Sequence, residues 1–182
     1  MSQQEAQTHV DNIRAAAPAS TFHGAAGEPG RVIEYISFAI GEDQYGVEIT
    51  AVREIKGWSG VTHLPKQPEY ARGVLNLRGV IVPIIDLRCR FGQGATEATP
   101  THVVIIVQIG DRLVGLLADD VRDIVSFETD KIQPVPRVAR GSQADFLSGL
   151  ATIEGGMIAL VDLGNLLPSE SSSALEAPAA AG

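Results

Sequence analysis

The chain carries one pattern twice, and a duplicated sequence folds as two units built to one plan. Gly41, Gly46, Val52, Arg53 and Ile55 recur 69 positions later as Gly110, Gly115, Val121, Arg122 and Ile124. At the same offset Glu54 becomes Asp123 and Pro65 becomes Pro134. A second block, Gly73, Gly79, Asp86 and Leu87, recurs 76 positions later as Gly149, Gly155, Asp162 and Leu163. The change of offset puts a seven-residue insertion in the second copy, between Val135 and Ser148. Glycines and aspartates kept in both copies read as structural. A residue that serves the function of one copy breaks the symmetry, and Arg78 does so, because its counterpart is Glu154.

Within each copy the pattern is one of short strands. Val32 to Ile40 is rich in β-branched and aromatic residues, and Tyr45 to Ile49 alternates apolar and polar. Their counterparts are Val103 to Ile109 and Arg112 to Ala118. Gly41-Glu42-Asp43 and Gly110-Asp111 between them are hairpin signals, since Gly and Asp accept the positive φ of a tight turn. Each copy then has a second pair, Gly73 to Leu77 with Val80 to Ile85, and Gly149 to Ile153 with Met157 to Val161. Asp86 and Asp162 are placed to cap a short helix, with Gly92 as a stop for the first. Four to five strands per copy with few helices predict an all-β protein of two small barrels, with a groove between them as the binding location. The expected division is a flexible tail over residues 1–31, a paired unit over 32–168 and a loose tail over 169–182. The first barrel is placed at about 32–95 and the second at about 96–168, allowing for exchange of chain ends. Val10, Ile13 and Phe22 are the only seeds of a docking segment in the first tail, against a plain disordered reading.

Charge and composition exclude several functions. A net charge of −8 opposes nucleic acid and anionic membrane surfaces as partners. A single cysteine, Cys89, excludes an internal disulfide framework and fits a reducing compartment. There is no apolar leader and no run of about 18 apolar residues, so neither secretion nor membrane insertion is expected. His9, His23, His63 and His102 show no ligand spacing, so no metal and no cofactor is expected. Asp86 and Asp162 could be paired carboxylates, but their shared repeat position favours capping. Arg88 and Arg90 flank Cys89 and could depress its pKa; a lone thiol without a base is more often a packing residue. Gly92-Gln93-Gly94 lacks the rest of a dinucleotide loop, and Ser142 and Ser148 sit in no nucleophile context. The expectation is a protein without catalysis.

Two features point to binding. Ile49, Val52 and Ile55, spaced by three, stack on one side of a helical turn or tight crossing, or belong to ordinary core. Asn76-Leu77-Arg78-Gly79-Val80 is a strand, a thin turn and a strongly apolar strand. An arginine there can cover apolar surface with its stem and pair with a carboxylate, Glu54 being one candidate within the chain.

These same residues carry a resemblance to the CheW family of bacterial chemotaxis coupling proteins. The matching stretches are Tyr45 to Val47, Val52 to Ile55, Gly73 to Leu87, Val114 to Leu116 and Gly149 to Leu150, within about Val32 to Leu167. The resemblance implies two SH3-like five-stranded β-barrels with short helices and an adaptor role between transmembrane chemoreceptors and the histidine kinase CheA. It implies a receptor cytoplasmic tip against Ile36, Ile49, Val52, Ile55 and Val121, and the kinase regulatory domain near Thr62, Leu64, Arg78 and Val80. Glu54 and Arg78 match a paired acidic and basic position. The implied location is the cytoplasm, at membrane-associated receptor arrays. The alternative is a coupling protein of a non-flagellar chemosensory pathway with another output.

Overall fold

The structure, a computed structural model, describes residues 30–136 and 144–167. The stretch 137–143, inside the interval of the expected insertion, and both tails lie outside the described residues, and with them His9, Val10, Ile13, Phe22, His23 and Ser142. The strands are β1 (Val32–Ile40), β2 (Asp43–Glu48), β3 (Val52–Gly57), β4 (Ala71–Leu77), β5 (Val80–Asp86), β6 (Val103–Ile109), β7 (Arg112–Ala118), β8 (Asp120–Glu128), β9 (Leu147–Ile153) and β10 (Gly156–Val161). One-turn helices α1 (Leu87–Arg90) and α2 (Leu163–Leu166) follow β5 and β10.

The strands form two five-stranded mixed sheets, in the orders β8-β1-β2-β10-β9 and β3-β6-β7-β5-β4. The second order is the first with every strand replaced by its repeat counterpart. Each sheet therefore holds the opening hairpin of one copy and the three later strands of the other. The strands do not part at residue 95 into two contiguous barrels. The cause is local. From β2 to β3 the chain crosses in a single 3-10 turn, Ile49–Ala51, and from β7 to β8 in one residue, Asp119. A one-residue link is too short to reverse the chain into an antiparallel hairpin, which needs two or more. The chain runs on into the other sheet instead.

One apolar cluster joins the sheets: Ile36, Phe38 and Val47 from the first pack with Ile85, Ile105 and Leu116 from the second. Each sheet adds a smaller cluster of its own, around Tyr35, Ile158 and Leu160 in one and around Val104, Val82 and Ile84 in the other. These triplets are repeat counterparts, so the duplication extends to the packing.

The repeated glycines have physical reasons. Gly41 and Gly110 end β1 and β6 with φ of 61° and 58°. At Gly73 a Cβ would lie 2.3 Å from the Thr62 carbonyl oxygen, and at Gly149 it would lie 2.6 Å from the Ile132 side chain. The chain leaving β3 crosses β4 there, and the chain leaving β8 crosses β9. Thr62 and Val74 exchange backbone hydrogen bonds of 2.9 and 2.8 Å, and Gln133 and Leu150 exchange two of 2.8 Å. Both bridges tie together the opposite edges of a sheet.

The repeated aspartates cap. Asp86 accepts from the Cys89 N–H, and Asp162 from the Gly164 and Asn165 N–H groups. Asp86 is fully buried and also takes the N–H and hydroxyl of Thr96 at 2.7 and 2.6 Å, which fastens the linker to the end of β5.

Candidate functional site

The three-residue spacing of Ile49, Val52 and Ile55 comes from a bulged edge strand and not from a helix. Ile49 lies in the 3-10 turn, and β3 begins at Val52. Val52 pairs with Val107, Glu54 with Ile106 and Ile55 with Ile105, so Arg53 is an extra residue. A bulge of one residue breaks the period of two and turns Val52 and Ile55 to the same face. That face is the shared core's, because Val107 and Ile105 both belong to it. The second copy repeats the device. Val121 opposes Phe38 and Ile124 opposes Ile36, with the register shifted between them. Ser37 Oγ fills the gap by donating to the Asp123 carbonyl and accepting the Asp123 N–H, both at 3.0 Å.

Of the five residues placed at the receptor surface, Ile36 is buried in the shared core, and Ile49, Val52 and Val121 pack against it. Ile55 stands at the rim, 41% exposed. Its counterpart Ile124 is 55% exposed on the other rim. It was missed because only the register with Ile36 shows that it shares this face, although its repeat relation to Ile55 was a signal. Each edge strand thus sets apolar side chains against the shared core and leaves one isoleucine exposed beside them.

The second surface surrounds the β4–β5 hairpin. Arg78 and Gly79 have φ of 51° and 87°, both left-handed as the tightest hairpin turn demands, and Asn76 Oδ1 accepts the Gly79 N–H at 2.8 Å. Glu154 is not in the left-handed region, so the copies differ here in backbone as well as in charge. The Arg78 guanidinium lies 3.0 Å from Glu54 Oε2, and its side chain is 77% exposed against 28% for Glu54. Thr62 is exposed and bridged to β4, Leu64 is half-buried, and Val80 is half exposed beside Ile81. Ile81 was not anticipated; as the neighbour of Val80 on an apolar strand it had no signal of its own.

A polar joint escaped the sequence altogether. Asp119, the link between β7 and β8, accepts the Gly41 N–H at 2.7 Å, pairs with Arg88 of α1 and faces His102 Nε2 at 3.6 Å. Thr99 donates its N–H to His102 Nδ1, which leaves the ring proton on the nitrogen that faces Asp119. Burial works to raise the Asp119 pKa, but the Gly41 N–H and Arg88 outweigh it and hold the carboxyl below its ordinary range. The environment of Cys89 favours the packing reading of this lone thiol over the reactive one. Burial first, then Glu69 and Asp86, push its thiol up, against the opposing Arg72 and Arg90. The thiol is less reactive than its arginine neighbours suggested.

Arg90 joins the halves from the other side. It lies over the rings of Tyr70 and Phe146 at 4.4 and 4.2 Å, and its Nε donates to the Leu166 carbonyl at 2.9 Å. Tyr70 and Phe146 are repeat counterparts, so a single cation pins equivalent points of both sheets.

Among the described residues no group of three or more His, Cys, Asp or Glu side chains could hold a metal ion, and no helix is long and apolar enough to cross a membrane. What the two exposed surfaces can do is bind. One is apolar, lined from both edge strands, and the other is a charged hairpin tip beside the exposed aliphatics Val80 and Ile81.

The CheW-like domain model matches residues 34–171. The chain is 45% identical over 141 residues to the chemotaxis protein CheW of Rhizobium meliloti, covering 78% of this chain and 91% of that one. It is 41% identical over 137 residues to that of Klebsiella aerogenes, covering 75% and 82%. Its fold matches the crystal structure of the scaffolding protein TtCheW from Thermoanaerobacter tengcongensis with a TM-score of 0.69 at 31% identity, over 80% of this chain and 92% of that one. The chain belongs to the CheW-like domain family and is a non-catalytic chemotaxis adaptor that couples chemoreceptors to the histidine kinase CheA. Its two mixed sheets are consistent with tandem SH3-like domains.

Proposed function

We propose that the adaptor uses its two surfaces for different partners. The apolar seam of Ile36, Ile49, Val52, Ile55 and Val121 takes the cytoplasmic tip of a chemoreceptor. The hairpin surface of Thr62, Leu64, Arg78 and Val80 takes the regulatory domain of the kinase, with Glu54 holding the arginine. Each sheet is a small SH3-like barrel whose edges are closed by the Thr62 or Gln133 bridge. The protein works in the cytoplasm, recruited to membrane-associated receptor arrays.

The observation that carries this reading is the bulge, which turns Val52 and Ile55, and in the other copy Val121, toward one seam. Arg78 belongs to the sheet of β3 and β4, and Val121, on β8, belongs to the other sheet. Binding to separate receptor and kinase fragments tests the assignment. Val121→Glu is expected to fold and lose the receptor fragment while keeping the kinase fragment, because a carboxylate in an apolar seam is desolvated without a partner. Arg78→Ala is expected to do the reverse. Variants that lose both fragments together, or neither, overturn the division of labour.

A further inference from the structure

The two crossings between the sheets are fastened to equivalent turn glycines by different chemistry. Thr50 in the first crossing and Asp119 in the second are repeat counterparts, as are Gly41 and Gly110. Each crossing enters a sheet beside the turn of that sheet's opening hairpin. Val52 pairs with Val107 near the end of β6, and Asp120 pairs with Ala39 near the end of β1. Asp119 reaches its turn directly, since its carboxylate accepts the Gly41 N–H at 2.7 Å. The Thr50 hydroxyl does not; it donates to Glu48 Oε1 at 2.7 Å. The reach is made instead by two side chains in series. Arg53, the extra residue of the bulge, donates from Nη1 to the Thr50 carbonyl at 3.2 Å and from Nε to Gln108 Oε1 at 2.8 Å. Gln108 in turn donates from Nε2 to the Gly110 carbonyl at 2.9 Å.

This chain of bonds has one sense only. A guanidinium donates and never accepts, so Gln108 turns its amide oxygen to Arg53 and its nitrogen to Gly110. The planar fork fixes both bonds of Arg53 at once, which a lysine cannot do. Thr50 lies in the 3-10 turn Ile49–Ala51, and the end carbonyls of so short a helix lack helical partners. Arg53 supplies one. The counterparts of Gln108 and Arg53 are Ala39 and Arg122. Ala39 has no side chain to form a bridge, and the Arg122 Nε faces Asp120 of its own strand at 3.5 Å. Where the crossing carries a carboxylate the bridge is absent, and where it carries a threonine the bridge is present. That exchange within the repeat separates the Arg53–Gln108 bridge from an incidental surface contact.

We propose that Arg53 and Gln108 are positioning residues for receptor binding. They clamp the Ile49–Ala51 turn to the β6–β7 hairpin and so set Ile49 and Val52 in the seam, as Asp119 sets Val121. The role rests on the receptor reading of the seam and acts through Ile49 and Val52.

Receptor binding and amide exchange of the full chain test it. Gln108→Met keeps the length of the side chain and removes the bridge. It is expected to weaken binding of the receptor fragment roughly fivefold, within the range of one hydrogen bond to a charged group, and to leave kinase-fragment affinity unchanged. It is also expected to speed exchange several-fold at Val52, whose N–H closes the turn on the Ile49 carbonyl. Gln108→Glu keeps an acceptor for the guanidinium and is expected to recover most of both effects. Arg53→Met is expected to match Gln108→Met in receptor affinity. The two together are expected to lose no more than either alone, because they break one chain of bonds. Val121→Glu is the control for the seam. If it loses the receptor fragment while Gln108→Met and Arg53→Met keep it, the positioning role is overturned and the seam stands. If it too keeps the fragment, the seam reading falls and the positioning role falls with it. Losses that add in the double variant, a Gln108→Glu protein no better than Gln108→Met, or exchange quickened evenly across both sheets also overturn the role.

Discussion

Arg78 keeps a left-handed backbone that a glycine would hold more easily. An L-residue there costs roughly 1–2 kcal/mol relative to glycine, and the exposed pair with Glu54 returns under about 1 kcal/mol. Arg78→Gly is therefore expected to raise unfolding stability by up to about 1 kcal/mol, and Arg78→Ala to change it by less than about 0.5 kcal/mol. Both are expected to weaken kinase binding by on the order of 2 kcal/mol. Urea unfolding alongside kinase titration checks this, and a destabilised Arg78→Gly shows that the ion pair outweighs the strain. Asp119 makes a prediction in pH. Its carboxyl titrates lower in the folded state than its ordinary value of 3.8. Its contribution is thus present above that value and lost as pH falls through the folded one. Asp119→Asn is expected to lower stability at pH 7 by about 1 kcal/mol, the scale of a charged hydrogen bond. That deficit narrows below about pH 4. Melting curves of both proteins from pH 7 to pH 3 should converge; a constant gap assigns the loss to packing.

Among the elements, the glycine crossings are the points of least tolerance. Gly73 has a φ of 137° and the Thr62 carbonyl against it, whereas Gly79 has a φ of 87° and open space. Gly73→Ala is expected to cost about 3 kcal/mol or more, and Gly79→Ala about 1–2 kcal/mol. Equal losses in chemical denaturation would mean that the bridge yields to the methyl group. These glycines were legible because both copies keep them. So were β1, β6 and β7, whose bounds follow from apolar runs set against the turns at Gly41 and Gly110. β3 and β8 were not legible as strands, because an extra residue at Arg53 and at Arg122-Asp123 replaces the period of two with a spacing of three. Arg78 stood out through lost symmetry alone. The Asp119 joint left no trace, since Gly41 and Arg88 are 78 and 31 residues away from it in the chain, and nothing local marks a contact of that range.

For the whole molecule, the exchange of hairpins decides what can be separated. A cut in the linker between α1 and β6 leaves residues 30–95 with two strands of one sheet and three of the other. Neither that piece nor 96–167 is expected to fold alone. Mixed in equal amounts, the two are expected to recover the far-ultraviolet dichroism of the intact chain. A piece that folds alone with a cooperative melt would show that a sheet can be completed from its own copy. The intact chain is expected to unfold in one transition, because each sheet needs strands from both copies and one cluster joins them. Had the same half-length sequence existed without its repeat, two molecules would have had to meet before either could complete a sheet, and the folded fraction would have depended on their concentration. Residues 91–102 do away with that encounter. They hold each half at the effective concentration of a short tether, on the order of millimolar. The adaptor is in this sense an interlocked dimer written as one gene product, free to let its halves diverge, one toward an arginine and the other toward a glutamate at the same turn.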